Sequence, residues 1–156
     1  LKTIEADEKR AFLVCKSENF LDGLSIAALS TKDWKMADIN AGIPTIYKEN
    51  IEKFIPQMVN LDLINGISFS KGCYTGQEIV ARVQHKGKVK QRMFHITGRV
   101  SYKKIDPGTA ILFADTKVGT IIESLEYNDH MHALGVIKND SSKKELSVEG
   151  MKITIK

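Results

Sequence analysis

The feature that most constrains the fold is a change of hydrophobic period at Gly87. After this residue, apolar and polar residues alternate in short runs, as they do in half-buried β-strands. Turn-forming residues separate the runs at 106–108, 128–129 and 139–142. The predicted strands span residues 89–100, 110–114, 118–125, 132–137 and 146–155. Short strands at this spacing predict a small antiparallel barrel or sandwich.

The residues before Gly87 combine helical and strand signals. Strands are predicted over 11–15 and 66–70, and helices over 21–29, from Thr31 to Gly42 and from Gln77 to a left-handed Gly87. We therefore predict an α+β chain of two units. Residues 1–87 form a mixed α/β section, and residues 88–156 form an antiparallel β-barrel.

The composition is that of a globular protein, with 156 residues of which 42% are apolar and 27% are charged. No apolar run approaches the roughly 20 residues that span a bilayer, and no signal peptide is visible. Cys15 and Cys73 are too few for a disulfide framework, so we expect a cytoplasmic protein with Cys15 as a buried apolar side chain. The chain starts at Leu1 rather than Met, which indicates either processing or a larger protein that has lost its front.

The positive charge of the chain is concentrated in residues 71–104. This block has nine Lys or Arg residues and one acid, Glu78, whereas the net charge of the whole chain is +4. Such a block attracts a polyanion or an anionic ligand, and the alternative is an ordinary solvated surface. A basic RNA-binding module is therefore one candidate function, although the block offers only Tyr74, Phe94 and Tyr102 for base stacking.

The segment with the most chemical information is Lys71-Gly72-Cys73-Tyr74-Thr75-Gly76-Gln77-Glu78. Gly72 and Gly76 permit backbone conformations that a side chain would forbid. A helix that begins just after Cys73 directs unpaired N–H groups towards the thiol, and Lys71 adds positive charge. Both features favour the ionised form of a thiol, so the pattern predicts a reactive cysteine. The alternative is a structural cysteine in a tight turn.

Other catalytic and metal-binding patterns are weak. His85 lies twelve residues after Cys73, where geometry does not place it at the thiol, so a Cys–His hydrolase is not supported. His130 and His132 could share one strand face, but they lack further ligands at a recognisable spacing, and no metal site is predicted. The chain has neither a GxGxxG motif nor a P-loop.

The segment 71–78 resembles the signature K-G-C-[FY]-x-G-Q-E of the YgfZ family, with every fixed position matched. Similar agreement, in the family's order, covers A-G-[FIV]-P at 41–44, F-I-P-Q-x-x-N-L at 54–61, the lead-in at 66–69 and the exit at 79–82. The agreement runs from about Trp34 to Gly87, and the β module falls where the family has one. The chain thus resembles the C-terminal half of a family member.

This resemblance implies the fold of the glycine-cleavage T-protein, a tetrahydrofolate-dependent aminomethyltransferase. It implies tetrahydrofolate as cofactor, in a central cavity formed largely by an N-terminal region that is not in this sequence. It also implies a role in assembly or repair of iron–sulfur clusters, with iron–sulfur client enzymes or assembly proteins as partners and an indirect effect on tRNA thiolation. An aminomethyltransferase is the alternative on the same fold, so whether the protein is an enzyme stays open.

The same resemblance identifies the site residues. It matches Cys73 to the functional thiol and supplies the rest of the motif as Lys71, Gly72, Tyr74, Gly76, Gln77 and Glu78. It matches Trp34 to the family's folate-contacting tryptophan, which pattern alone would make a core aromatic of a short helix. Asn40 occupies a position that is often Glu in this fold, where the carboxylate holds the pterin ring. An amide has one acceptor oxygen instead of two, so we expect weaker or differently oriented folate binding.

Overall fold

The computed structural model describes residues 2–7, 10–14, 29–100 and 103–156, which fall into two compact units, Leu1–Thr31 and Lys32–Lys156. In the first unit, β1 (Lys2–Asp7) and β2 (Arg10–Val14) pair as an antiparallel hairpin. β2 confirms the strand predicted over 11–15. Cys15 and residues 21–28 of the next predicted helix lie outside the described residues.

The second unit contains a closed barrel of six antiparallel strands. The strands are β3 (Gln91–Arg99), β4 (Ala110–Phe113), β5 (Thr116–Tyr127), β6 (His130–Lys138), β7 (Leu146–Val148) and β8 (Met151–Ile155). They close in the order β3-β6-β5-β4-β7-β8, which confirms the predicted barrel module. The T-protein-like section and the division of the chain at residue 87 stay predictions.

Two helices precede the barrel, α1 (Thr31–Ala41) and α2 (Gln77–Lys86), as the sequence predicts. Residues 66–70 form no strand, because they pair with no other described strand. Gly87 is not left-handed but extended, with φ −107°. A Cβ on Gly87 would lie 2.9 Å from the Cα of Val83, so this glycine allows a close approach. No helix in the described part of the chain has the length and apolar character to cross a bilayer.

Two tight turns of the barrel lie where we predicted no turn signal. Residues 146–155, predicted as one strand, are two strands that reverse at Glu149 and Gly150, with φ 47° and 78°. Ala114 and Asp115 join β4 to β5 in the same way, with φ 45° and 63°. Two-residue hairpin turns of type I′ need positive φ at both central positions, and neither Glu nor Ala favours it. The residue types therefore give little sign of these turns.

The barrel is filled by aliphatic side chains from all of its strands. This inner cluster comprises Ile96, Ile105, Ile111, Val118, Ile121, Met131, Ala133, Ile137, Leu146, Val148 and Ile153. Most of its members are β-branched, a shape that packs well on a pleated surface. The barrel is thus a packed core and not an open ligand cavity.

Part of the outer wall of the barrel is buried as well. A second cluster, which we call the outer layer, comprises Met93, Ile122, Leu125, Leu134 and Val136 of the strands with Ile39 of α1 and Val59. Neighbours in a strand point to opposite faces, so Ala133 faces the inner cluster and Leu134 the outer layer. Ile39 is fully buried, which contributes roughly 2 kcal/mol to holding α1 on the barrel.

Candidate functional site

Cys73 lies in an exposed loop that leads directly into α2. Its thiol forms no disulfide and is exposed. The other residues from 71 to 76 are also exposed. Gly76, just before the helix, has φ +88°, a left-handed conformation that favours glycine. Gly72 has no positive φ and nothing within 4 Å of its Cβ position, so it does not use the conformational freedom that glycine permits. The loop therefore presents the thiol to solvent at the N-terminal end of α2.

The neighbours of Cys73 along the chain include uncovered apolar side chains. Tyr74 is 47% exposed, and Ile79 in the first turn of α2 is 60% exposed. Phe69 is also exposed, and its ring meets that of His85 edge-on at 6.1 Å between centroids. This contact lays the start of the loop beside α2. Within the motif, Gln77 is half-buried and Glu78 is exposed in the first helical turn.

Two amide side chains, of which Gln57 is buried and Asn60 is half-buried, attach α2 and β3 to the segment 54–61. The Nε2 of Gln57 donates to the carbonyl of Val80 in α2 at 2.7 Å, and Gln57 is fully buried. The Nδ2 of Asn60 donates to the carbonyl of Met93 in β3 at 2.7 Å. Sequence analysis matches this segment to the family but misses its positioning role. Two amides within an apolar run are the signal that could have predicted it, because buried amides need partners.

An ion pair strengthens the same attachment. Arg92 donates to both carboxylate oxygens of Asp62, at 2.6 and 2.9 Å, and also to the carbonyl of Gln57 at 2.8 Å. The side chain of Asp62 is only 9% exposed. The hydrogen bond from Arg92 holds the pKa of Asp62 below its usual value of 3.8. The pair thus joins β3 to the segment that supports α2.

The predicted folate residues lie on different sides of α1. Trp34 and Asn40 are six residues apart, which on a helix is about 120° around the axis and about 9 Å along it. Trp34 is 36% exposed. Asn40 lines a cavity of about 430 Å³ with Asp33, Met36, Ala37, Tyr127, Asn128, His130 and His132, and Trp34 is not among its lining residues.

The polar groups of this cavity form short networks. The hydroxyl of Tyr127 donates to Oδ1 of Asp33 at 2.7 Å, and this bond raises the pKa of Tyr127. The Nδ1 of His132 lies 3.3 Å from the Nε2 of His95. Burial, aided by the charge of Lys156, lowers the pKa of His132 and brings that of His95 to about 4. Both imidazoles are therefore uncharged at neutral pH.

The structure divides the predicted site residues between two elements. Residues 71–78 occupy one loop and the first turn of α2, while Trp34 and Asn40 belong to α1. Within residues 29–100 and 103–156, no group of three or more His, Cys, Asp and Glu side chains is arranged to hold a metal ion. His130 and His132 do lie side by side on β6, with ring centroids 6.5 Å apart.

Comparison with known proteins finds curated relatives that share one name. No protein-family model matches the chain. The tRNA-modifying protein YgfZ of Yersinia pestis (strain Pestoides F) is 38% identical over 114 residues, which are 70% of this chain and 34% of that protein. The protein of the same name from Blochmanniella pennsylvanica (strain BPEN) is 37% identical over 107 residues, 65% of this chain and 32% of that protein. The chain is a YgfZ homologue.

This homology confirms the family resemblance that we drew from the segment 71–78. The chain spans about a third of the length of the curated YgfZ relatives it matches. A match of this extent is consistent with the resemblance to the C-terminal half of a family member. The roles of the individual motif residues and of Trp34 and Asn40 stay predictions.

In the YgfZ homologue, Asp62→Asn is expected to lower the free energy of unfolding by about 2 kcal/mol at neutral pH, because two charge-assisted hydrogen bonds to Arg92 weaken. The folded-state pKa of Asp62 is lowered, so its stabilisation is fully present above the unfolded-state value of about 4 and is lost as the pH falls through the folded-state value. Urea unfolding of both proteins across this pH range measures the difference.

Glu145→Gln is the matched control, because Glu145 pairs with Lys152 on the exposed surface and its loss is expected to cost little. A gap between wild type and Asp62→Asn that persists below the folded-state pKa would contradict the assignment.

Gln57→Leu is expected to loosen α2 selectively. The change keeps the volume of the buried side chain but removes the donor to the carbonyl of Val80. Loss of about 1 kcal/mol of local stability speeds amide exchange in residues 77–86 about fivefold, with β5 and β6 unchanged. Hydrogen exchange followed by NMR measures this. Asn60→Gly is the control, because glycine suits the left-handed φ of 60° at that residue. It removes the donor to the carbonyl of Met93, so the faster amide exchange is expected in β3 instead of α2. Uniform acceleration in both variants would refute the selective role.

Proposed function

We propose that this YgfZ homologue is part of a folate-binding accessory protein of the cytoplasm that supports assembly or repair of iron–sulfur clusters and, through it, tRNA modification. The observation that carries the proposal is the exposed Cys73 within the segment 71–78, in a chain whose relatives are named tRNA-modifying proteins. Because the chain spans about a third of those relatives, the activity and partners are proposed for the whole protein.

Cys73 is the group that contacts a partner in this proposal. Its loop is exposed, and the nearby exposed side chains Phe69, Tyr74 and Ile79 suit docking by another protein surface. One thiolate cannot hold an iron–sulfur cluster, so any cluster is shared with ligands of a client or assembly protein. The other route is a mixed disulfide, in which the Cys73 thiolate attacks a client disulfide and displaces one of its sulfurs as a thiolate.

Tetrahydrofolate is the cofactor of the proposal, and two groups on α1 fit parts of it. The partly exposed indole of Trp34 suits a flat pteridine or aminobenzoyl ring. The amide of Asn40 offers one acceptor and two donors in the lining of a cavity of about 430 Å³. Because these residues lie about 120° apart around α1, a folate that touches both meets them with different parts of the molecule.

Tetrahydrofolate is expected to quench Trp34 fluorescence in a protein that contains the rest of a YgfZ relative. A suitable protein is a chimera of Yersinia pestis YgfZ in which this chain replaces the matched region, called here the YgfZ chimera. Trp34 is the only tryptophan of the chain, so the difference between the YgfZ chimera and its Trp34→Phe variant isolates its signal.

Saturable quenching that Trp34→Phe abolishes supports the folate site. If tetrahydrofolate quenches the fluorescence in the YgfZ chimera but not in the isolated chain, the other part of YgfZ supplies the rest of the folate cavity. Equal quenching and equal affinity with and without Trp34 would refute its contact with folate. A one-carbon transfer assay on the same chimera decides between an accessory protein and an aminomethyltransferase.

Cys73→Ser is expected to abolish function while leaving folate binding intact. The measurement is the content of thiolated nucleosides in tRNA, by mass spectrometry, in a Yersinia strain that has lost its own YgfZ and carries the YgfZ chimera. With Cys73→Ser, the content is expected to fall to that of the strain without YgfZ. Cys15→Ala is the control, because Cys15 is the other cysteine of the chain and Ala keeps an apolar side chain at the position that we expect to be buried, so function is expected to be kept. Full activity of Cys73→Ser would exclude the thiol from the mechanism.

A further inference from the structure

The barrel brings together lysines that are about 50 residues apart in the sequence. Lys88 and Lys90 precede β3, and Lys138 ends β6, where it is the register partner of Gln91. These lysines line one concavity of about 400 Å³ together with Val89, Gln91, Asn139 and Asp140. We call this concavity the lysine cleft. Sequence analysis places Lys88 and Lys90 in a basic block but gives no sign that Lys138 joins them.

The backbone that carries the lysine cleft is held in place by Asn139. Its Nδ2 donates to the carbonyl of Val89 at 2.8 Å, and its backbone N–H donates to the carbonyl of Lys90 at 3.0 Å. Residues 88–90 and 138–139 are therefore tied to each other beyond the end of the β3–β6 ladder. The lysine side chains are flexible, but the points from which they project are fixed.

The lysines of the cleft differ from other surface lysines in that they lack ion pairs with described carboxylates. Lys103, Lys104 and Lys152 form ion pairs with Glu149, Asp106 and Glu145. Within residues 29–100 and 103–156, Lys88, Lys90 and Lys138 form no ion pair, and all three are exposed.

Asp140 is the one acid among the lining residues of the cleft, and it accepts a hydrogen bond from Ser141 Oγ at 3.0 Å. Exposed Lys143 and Lys144 follow in the same connection. The cleft thus holds uncompensated positive charge.

We propose that the lysine cleft binds the phosphate backbone of RNA. Several lysines spaced along an open cleft act as point charges, and this spacing matches the repeated charges of a polyanion. A site for one small anion would instead enclose it with buried donors in fixed positions. The lining has no aromatic side chain, so bases are not stacked there and binding is independent of sequence. This inference goes beyond the proposed function, because neither folate binding nor the Cys73 thiol requires contact with RNA.

The test measures binding of the chain to fluorescently labelled tRNA by anisotropy as a function of salt. Replacing Lys88, Lys90 and Lys138 together by Gln is expected to weaken binding about tenfold at low salt. It is also expected to reduce the magnitude of the slope of log K against log salt by about 3, because each of the three lost phosphate contacts contributes about 0.9. Circular dichroism checks that the variant is folded.

The matched control replaces Lys103, Lys104 and Lys152 by Gln, which removes the same formal charge from paired lysines elsewhere. It is expected to keep most of the affinity and the slope. An equal loss in the control would overturn the proposal, because binding would then follow net charge alone. Absence of tRNA binding at low salt would overturn it as well.

Competition with polyglutamate tests whether the lysine cleft binds RNA or an acidic protein. If polyglutamate displaces tRNA at equal charge concentration, the cleft favours an acidic polypeptide and the proposal fails. Weak competition by polyglutamate supports RNA. The lysine variants are expected to leave tetrahydrofolate quenching of Trp34 in the YgfZ chimera unchanged, so the outcome here is separable from that of the proposed function.

Discussion

Burial of the barrel wall on both of its faces is the constraint on which the rest of the structure depends. Residues 118–123 of β5 are buried without interruption, because the inner cluster covers one face and the outer layer the other. Ile122, Leu134 and Val136 would be exposed if the segment 31–61 moved away, at roughly 1.5–3 kcal/mol for each side chain. The helix that carries Trp34 and Asn40 is therefore an integral part of the packed unit.

Buried polar groups set the position of this outer layer on the barrel. Asn50 donates to the carbonyls of Ile121 and Ile122, where β5 bulges, and the N–H of Thr45 donates to Oε1 of Glu123. Burial raises the pKa of Glu123, so the stability that its neutral form gives is lost as the pH rises through the folded-state value. Its Oε2 has no partner in the described part of the chain. Buried polar groups of this kind contribute more to fixing one alignment of the outer layer on the barrel than to the free energy of unfolding.

Local signals predict much of this structure, and non-local pairing decides the remainder. The strands and the motif 71–78 are visible because alternation and turn residues act within a few positions. The reversals at Ala114 and Glu149 are hidden, since strand pairing imposes a positive φ on residues that do not favour it. Residues 66–70 have strand composition but no partner among the described strands. The lysine cleft depends on the register of Gln91 with Lys138, which no local pattern reveals.

Helix α2 connects the two features to which we assign contacts with other molecules. The Cys73 loop enters its N-terminal end, and the lysine cleft begins two residues after its C-terminal residue, Lys86. Ten residues of helix separate these ends by about 15 Å. The supports also differ, because Gln57 holds α2 while Asn139 holds the lysine cleft. The proposed chemistry at the thiol and the proposed contact with RNA therefore depend on separate groups near opposite ends of α2, and a change in one need not disturb the other.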